Sequence, residues 1–184
     1  MNEAGHNPRN FKAGCVVWLT GLSGAGKSTI AEGLKHRLSD MGRHAFVLDG
    51  DLIRRGLCSD LAFSPSDRTE NVRRIGEVSK LFAEAGLICI VALISPYLAD
   101  RNSARNIIGA GRFIEVYVNA PLAVCERRDP KGLYARARAS QLKEFTGVTA
   151  PYEPPVHPEV ELRTNELNAT ESIGKILEYL SGAQ

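Results

Sequence analysis

Cysteine is scarce in this 184-residue sequence, and the four cysteines that it has are far apart. They form no C-x-x-C pair, and they are found at Cys15, Cys58, Cys89 and Cys125. Cys15 and Cys89 lie in apolar runs, where a thiol is typical of a small core side chain. The four histidines also lack the spacing of metal ligands. These patterns argue against a disulfide framework or a zinc site, and they predict a cytoplasmic protein.

Long hydrophobic runs and runs of one charge are also lacking. No apolar stretch approaches the length of a membrane span, and the N-terminus does not have the charged-then-apolar order of a signal peptide. The net charge is only +2, without a long Lys/Arg run. We therefore expect neither a membrane nor a nucleic acid as a partner. Residues 1–13 are polar and are predicted to form a flexible N-terminal arm.

Short apolar runs alternate with longer amphipathic segments, which is typical of βαβ units around a parallel sheet. Five strands are predicted, at 15–20, 45–48, 87–94, 113–118 and 160–162. Helices are predicted directly after the first strand, at about 66–85 and at about 170–180. The segment 129–158 is basic and then proline-rich, and we expect a partly helical flap there. The length suits one compact domain, predicted to span 14–184.

A glycine-rich segment after the first strand matches G-x-x-x-x-G-K-[ST] in full. With a buried strand before it and an amphipathic helix after it, this segment predicts a P-loop, whose backbone N–H groups face a phosphate chain. Lys27 is expected to reach the β- and γ-phosphates of ATP, and Ser28 to coordinate Mg²⁺. The predicted ATP site consists of Gly21, Leu22, Ser23, Gly24, Ala25, Gly26, Lys27, Ser28 and Thr29.

The alternative for this segment is a glycine-rich turn that binds no ligand, which the two matching flanks disfavour. The sequence as a whole predicts an α/β, three-layer P-loop NTPase fold. Its central, mostly parallel sheet has five strands, helices cover both faces, and a mobile lid at about 129–150 closes over the ligands.

Two acids follow the second predicted strand. In open α/β sheets the ligand lies beyond the carboxyl ends of the strands, so Asp49 and Asp51 should face the P-loop. We assign Asp49 to the Mg²⁺ ion, through its water shell, and Asp51 to the acceptor hydroxyl as a base. The order of the two roles stays open at this point. The alternative is a turn in which Asp51 caps the next helix.

An aromatic ring and several guanidinium groups follow within a short stretch. Phe63 with Arg54, Arg68, Asn71 and Arg73 suits a substrate that has a base to stack and an anionic tail. Each residue also has a structural interpretation, as core for the ring and as a solvated helix face for the arginines. The neighbouring Arg74 is the first candidate for a purely structural role.

Several motifs together resemble those of the adenylylsulfate kinase family. They are, in order, GLSGAGKST, LDGD followed by an arginine, FSPSDRTENVRR, ISPY, DPKGLY, and FTG with PYEPP. The likeness covers roughly residues 14–180. It implies transfer of the ATP γ-phosphoryl group to the 3′-hydroxyl of adenosine 5′-phosphosulfate, with Mg²⁺ as cofactor, in a homodimer active in sulfate assimilation.

The resemblance also implies roles for individual residues. Those matching Phe63 and Phe145 enclose the substrate adenine, and those matching Arg54, Arg68 and Asn71 hold its phosphosulfate and ribose. The same pocket is lined by the residues matching Ile94, Ser95, Lys131, Gly132 and Leu133. Ser95 matches a serine described as able to carry phosphate, although direct in-line transfer is the favoured route.

The sequence departs from the family pattern at two places. Leu98 stands where the family usually has an arginine, and we expect Arg101 or Arg105 to substitute as an anion contact. Thr149-Ala150 replaces the usual pair before PYE, and an effect on lid closure is predicted.

Three other functions are compatible with parts of this site. A P-loop kinase for a nucleoside monophosphate, a sugar acid or an antibiotic would share the P-loop and the acidic strand end. A GTPase-like switch is disfavoured because no N-K-x-D element follows any predicted strand. A catalytically inactive nucleotide sensor is disfavoured by the presence of Lys27, Ser28, Asp49 and Asp51.

Overall fold

Residues 14–182 are described by the computed structural model, and they fold around a five-stranded sheet. The strands are β1 (Val16–Thr20), β2 (Ala45–Asp49), β3 (Ile88–Ala92), β4 (Phe113–Asn119) and β5 (Val160–Arg163). Their spatial order is β2-β3-β1-β4-β5, and all four neighbouring pairs are parallel. The five predicted strands and their parallel arrangement are confirmed. The N-terminal arm predicted at 1–13 lies outside the described residues.

Seven helices accompany the sheet in the described part of the chain. They are α1 (Lys27–Asp40), α2 (Gly50–Arg54), α3 (Pro65–Glu84), α4 (Leu98–Ile108), α5 (Leu122–Arg128), α6 (Leu133–Arg138) and α7 (Ala169–Ser181). Within residues 14–182 no helix has the length and apolar character needed to cross a membrane.

The central strand β1 shows why the molecule has three layers. All five of its side chains are buried, and successive residues of a strand point to opposite faces. Leu19 belongs to a core that includes Leu34 of α1 and Ile176 of α7. Trp18 belongs to a second core, which includes Ile75 of α3. A strand without charge or polarity alternation is therefore covered by helices on both sides.

Helices α2, α4 and α5 were not predicted, and α4 shows the reason. Its buried residues are Asp100, Arg101, Ala104 and Ile108, so half of its inward face is charged. A search for apolar periodicity does not find a helix whose buried face contains charged residues.

Arg101 attaches α4 to the rest of the molecule. Its side chain is fully buried and donates to Glu115 Oε1 at 2.7 Å, to the Ser95 carbonyl at 2.8 Å and to the Glu153 carbonyl at 2.7 Å. Breaking a buried pair of this kind typically costs about 3–5 kcal/mol, because the remaining charge is left without compensation. Arg101 therefore holds together the end of β3, strand β4 and the segment that contains Glu153.

Candidate active site

The carboxyl ends of the strands open into a cavity of about 960 Å³. Its volume is in the range of small-molecule sites. The walls come from the P-loop, the end of β2, the start of α3, the end of β3, the segment 128–146 and the segment 164–172. Most predicted site residues line it, the exceptions being Gly21, Leu22, Arg73, Arg101, Arg105 and Gly132. The cavity thus brings together residues that are more than 100 positions apart in the chain.

The P-loop glycines make a backbone path that other residues could not follow. Gly21 has φ +149°, and a Cβ there would lie 2.3 Å from the Val118 carbonyl oxygen. Gly24 has φ +74°, and a Cβ there would lie 2.9 Å from the Cys125 carbonyl oxygen. These close approaches let the loop wrap tightly before α1 begins at Lys27.

Lys27 lies at the base of the P-loop with its ammonium group turned inward. Nζ donates to the carbonyl oxygens of Gly21 at 2.8 Å and Leu22 at 2.7 Å. Gly21 and Leu22 therefore hold the lysine instead of lining the cavity. Burial lowers the pKa of Lys27 to about 8, because desolvation penalises the charged form. A phosphate group nearby would stabilise the charged form.

Ser28, which follows the lysine in the chain, forms a hydrogen-bonded pair of oxygen groups with Asp49 from the end of β2. Ser28 Oγ donates to Asp49 Oδ2 at 2.7 Å, and Asp49 Oδ1 accepts the backbone N–H of Asp51 at 3.0 Å. Asp49 is thus the N-cap of α2, so the alternative in which Asp51 caps the helix is wrong. A hydroxyl beside a carboxylate is the kind of donor set that suits Mg²⁺, which keeps most of its ligands as water and phosphate.

Asp51 is more exposed than Asp49 and contacts the opposite wall of the cavity. Its side chain is 61% exposed, and its Oδ2 accepts a close hydrogen bond from Lys131 Nζ. Lys131 precedes α6, in the segment predicted to form the lid. The negatively charged Asp51, just after β2, and the positively charged Lys131, from this segment, therefore meet across the cavity.

Two guanidinium groups make cation–π contacts with the ring of Phe63. The Cζ atoms of Arg54 and Arg68 lie 4.4 Å and 5.7 Å from the ring centroid. Arg54 donates to the carbonyls of Leu61 and Ala62, and Arg68 donates to those of Phe63 and Glu144. Both arginines are half-buried and hydrogen-bonded to backbone carbonyls, so they are not a solvated helix face, and burial lowers the pKa of both.

The other two arginines of this stretch have structural contacts. Arg74 donates to Asp60 and Glu70, which fixes the segment before α3 to that helix. Arg73 pairs with Glu70 and is half exposed. Neither residue lines the cavity. The structural interpretation of Arg74 fits these contacts.

Two buried polar groups face the same cavity near the end of β3. Asn71 Oδ1 is buried and has no hydrogen-bond partner among the described residues. Ser95 is only 4% exposed, and its Oγ accepts from Trp18 Nε1 at 3.1 Å. The backbone of Ser95 has φ +38°, an unfavourable value for a residue with a side chain. The Trp18 indole, which is part of the core, therefore also orients a site residue.

The predicted substitutes for the missing arginine at Leu98 are wrong. Arg101 is buried in the contacts described above, and Arg105 pairs with Glu159 at 2.6 Å and Glu115 at 3.3 Å. Neither guanidinium lines the cavity. The backbone N–H of Leu98 donates to Glu153 Oε2 instead.

One wall of the cavity was missed from the sequence. Arg128 Nη1 donates to the carbonyl oxygens of Gly24 and Ala25, each at 3.4 Å, and Nη2 to the carbonyl of Thr164. Thr164 Oγ1 in turn donates to the Ala25 carbonyl at 2.8 Å. Beyond these lie Leu167, Asn168, Ala169 and the buried Ser172. The rule that parallel strands end at one edge could have placed Thr164 here, since it follows β5 directly.

Comparison with known proteins gives the family. A family model described as adenylylsulphate kinase matches residues 13–163. An adenylyl-sulfate kinase from Marinobacter nauticus is 55% identical over 166 residues, which is 90% of this chain and 83% of that protein. A probable adenylyl-sulfate kinase from Halalkalibacterium halodurans is 54% identical over 172 residues, 94% of this chain and 85% of that protein.

A solved structure agrees with these relatives. The Mycobacterium tuberculosis APS kinase CysC, in complex with AMPPNP and APS, is 43% identical with a TM-score of 0.88. The likeness covers 91% of this chain and 98% of that chain. Together with the P-loop, the acidic end of β2 and the motifs around Phe63 and Lys131, these similarities identify the chain as a member of the adenylylsulphate kinase family.

Proposed function

We propose that this protein transfers the γ-phosphoryl group of ATP to the 3′-hydroxyl of adenosine 5′-phosphosulfate. The product is 3′-phosphoadenosine 5′-phosphosulfate. The observation that carries the proposal is a single cavity that contains both the P-loop and the group formed by Asp51, Phe63 and Phe145. The structure of the related M. tuberculosis APS kinase CysC is a complex with AMPPNP and APS. A shared cavity allows the acceptor oxygen and the γ-phosphorus to come within reacting distance.

The P-loop side is proposed to bind ATP. Its backbone N–H groups would hold the β- and γ-phosphates, and Lys27 would leave the Gly21 and Leu22 carbonyls to neutralise the transferring group. Ser28 and Asp49 are the residues proposed to hold Mg²⁺, which supplies positive charge to the phosphate oxygens. The segment 164–172 with Arg128 would enclose the rest of ATP.

The acceptor side is proposed to bind the sulfonucleotide. Phe63 and Phe145 would enclose its adenine, since each ring lines the cavity. Arg54, Arg68 and Asn71, whose buried Oδ1 has no hydrogen-bond partner among the described residues, would hold its ribose and phosphosulfate.

Asp51 is proposed to accept the proton of the 3′-hydroxyl. As the oxygen–phosphorus bond forms on one side, the bond to the β-phosphate oxygen breaks on the other, and ADP leaves with that oxygen. The contact from Lys131 to Asp51 keeps a positive charge beside the reacting oxygens. This charge belongs to the segment proposed as the lid, which would also exclude water from the γ-phosphate.

Ser95 is proposed to support the pocket wall instead of carrying phosphate. Its hydroxyl is buried and engaged by the Trp18 indole. These contacts favour direct transfer between the two nucleotides. We further propose that the enzyme acts in the cytoplasm as a homodimer.

Coupled measurement of ADP release tests the proposed function. With Mg-ATP as donor, adenosine 5′-phosphosulfate should give the highest kcat/KM in a panel with adenosine monophosphate, gluconate and an aminoglycoside. Mass spectrometry should show one added phosphate on the sulfonucleotide. A higher kcat/KM for a nucleoside monophosphate or a sugar acid would overturn the choice of acceptor.

The lowered pKa of Lys27 gives an expected pH dependence. Below about pH 8 the ammonium form predominates in the free enzyme, and above it the neutral amine does. Because only the charged form attracts phosphate, kcat/KM for ATP should fall above pH 8, approaching tenfold per pH unit. Initial rates from pH 7 to pH 9.5, with the melting temperature followed in parallel, test this. A profile that is flat to pH 9.5 would contradict it.

A further inference from the structure

The loop that carries Phe145 has a backbone conformation that needs support. Glu144, directly before Phe145, has φ +53°, which is unfavourable for a residue other than glycine. The carbonyl of Phe145 accepts the N–H groups of Val148, Thr149 and Ala150. Its own N–H is held by a side chain, since Thr149 Oγ1 accepts it at 2.9 Å. Both backbone polar groups of Phe145 are thus fixed from inside the loop.

The Phe145 ring lines the cavity and also contacts the buried Tyr134. One contact is edge-to-face with Tyr134, at 5.0 Å between the ring centroids. Tyr134 Oη donates to the carbonyl of P-loop residue Ser23 at 3.0 Å. In the same loop Gly147 packs closely against Leu22. Phe145 therefore lies between the cavity and a buried tyrosine that is anchored to the P-loop.

We propose that Thr149 is a positioning residue for the adenine of the acceptor, and that it acts through Phe145. This inference rests on the proposed function, in which Phe145 stacks on that adenine. The Thr149 hydroxyl holds the Phe145 N–H and so keeps the ring presented to the cavity before the substrate arrives. Without this hydrogen bond, the substrate would have to order the loop on binding, which lowers affinity.

The side chain of Thr149 is well placed for a clean test. The residue is exposed and does not line the cavity, so replacing it removes neither core packing nor a direct substrate contact. Valine has the same shape without the accepting oxygen, and serine keeps the oxygen without the methyl group. If the hydrogen bond matters, the valine variant should be impaired and the serine variant should not. If only the shape of the side chain matters, the serine variant should be the impaired one.

The experiment compares Thr149→Val and Thr149→Ser with the unchanged protein in steady-state assays that vary each substrate. We expect Thr149→Val to raise KM for adenosine 5′-phosphosulfate by about two- to tenfold, the range given by one ordinary hydrogen bond. Its kcat, its KM for ATP and its melting temperature should stay within the error of the unchanged protein. Thr149→Ser should restore the original KM.

Each other outcome overturns the inference. An unchanged KM in Thr149→Val, an equal rise in both variants, or a fall in kcat alone would show that the hydroxyl does not position the ring. Absence of turnover of adenosine 5′-phosphosulfate by the unchanged protein would instead overturn the proposed function, and this inference with it. The activity of the unchanged protein therefore distinguishes failure of the proposed function from failure of the Thr149 inference.

Discussion

Replacing Lys27 with alanine should lower kcat by about 10²–10³-fold, which is typical for the loss of one charged donor to a transition state. The ammonium group is the buried cation of the P-loop, and its two present partners are neutral carbonyls, those of Gly21 and Leu22. No acid competes for it by hydrogen bonding in the described structure, so it is available to the γ-phosphate. Coupled ADP release with saturating substrates measures the effect.

A control on the same helix separates charge loss from a general effect on α1. Lys35 is exposed and pairs with Glu32, which is also exposed, at 3.4 Å. Lys35→Ala should leave kcat unchanged and alter stability by at most about 1 kcal/mol. Thermal melting should show that Lys27→Ala is folded. Burying the lysine ammonium group costs free energy of desolvation, and the alanine variant does not have this cost. If Lys27→Ala kept more than a tenth of the original kcat, the assignment of the γ-phosphate contact would be lost.

The parts of the site that could be predicted from the sequence are those set by local chemistry. The P-loop needs glycine at fixed positions because of backbone close approaches, such as that of Gly21 to Val118. Asp49 ends, and Asp51 follows, a strand whose apolar residues identify it, and the carboxyl end of that strand lies at the cavity. Strand β1 is identified in the same way, because a strand covered on both faces is mostly apolar.

The parts that were missed depend on partners that are distant in sequence. Helix α4 has a charged inward face that is stable only because Glu115, on β4, meets Arg101. The error over Arg101 and Arg105 has the same origin, since sequence distance to Leu98 did not show that both guanidinium groups had acidic partners. The hydrogen bond from Trp18 to Ser95 was missed for the same reason, because it joins residues 77 positions apart.

The contact between Asp51 and Lys131 predicts the second large effect. Asp51→Asn keeps the size of the side chain but removes the negative charge and most of the basicity. Loss of a positioned general base typically lowers kcat by about 10²–10⁴-fold, and we expect an effect in this range. KM for ATP should change little, because Asp51 lies on the acceptor side and is not hydrogen-bonded to the P-loop in the described structure. Single-turnover formation of the 3′-phosphorylated product measures the chemical step.

Asp49→Asn is the matched comparison, because it makes the same chemical change two residues away. Asp49 accepts from Ser28 and caps α2, so its replacement should weaken Mg²⁺ binding and raise KM for Mg-ATP. Excess Mg²⁺ should then recover part of the activity of Asp49→Asn and none of that of Asp51→Asn. Rescue of both variants by Mg²⁺ would place both acids on the metal side. Undiminished product formation in Asp51→Asn would exclude it as the base and leave positioning of the hydroxyl to the residues around Lys131.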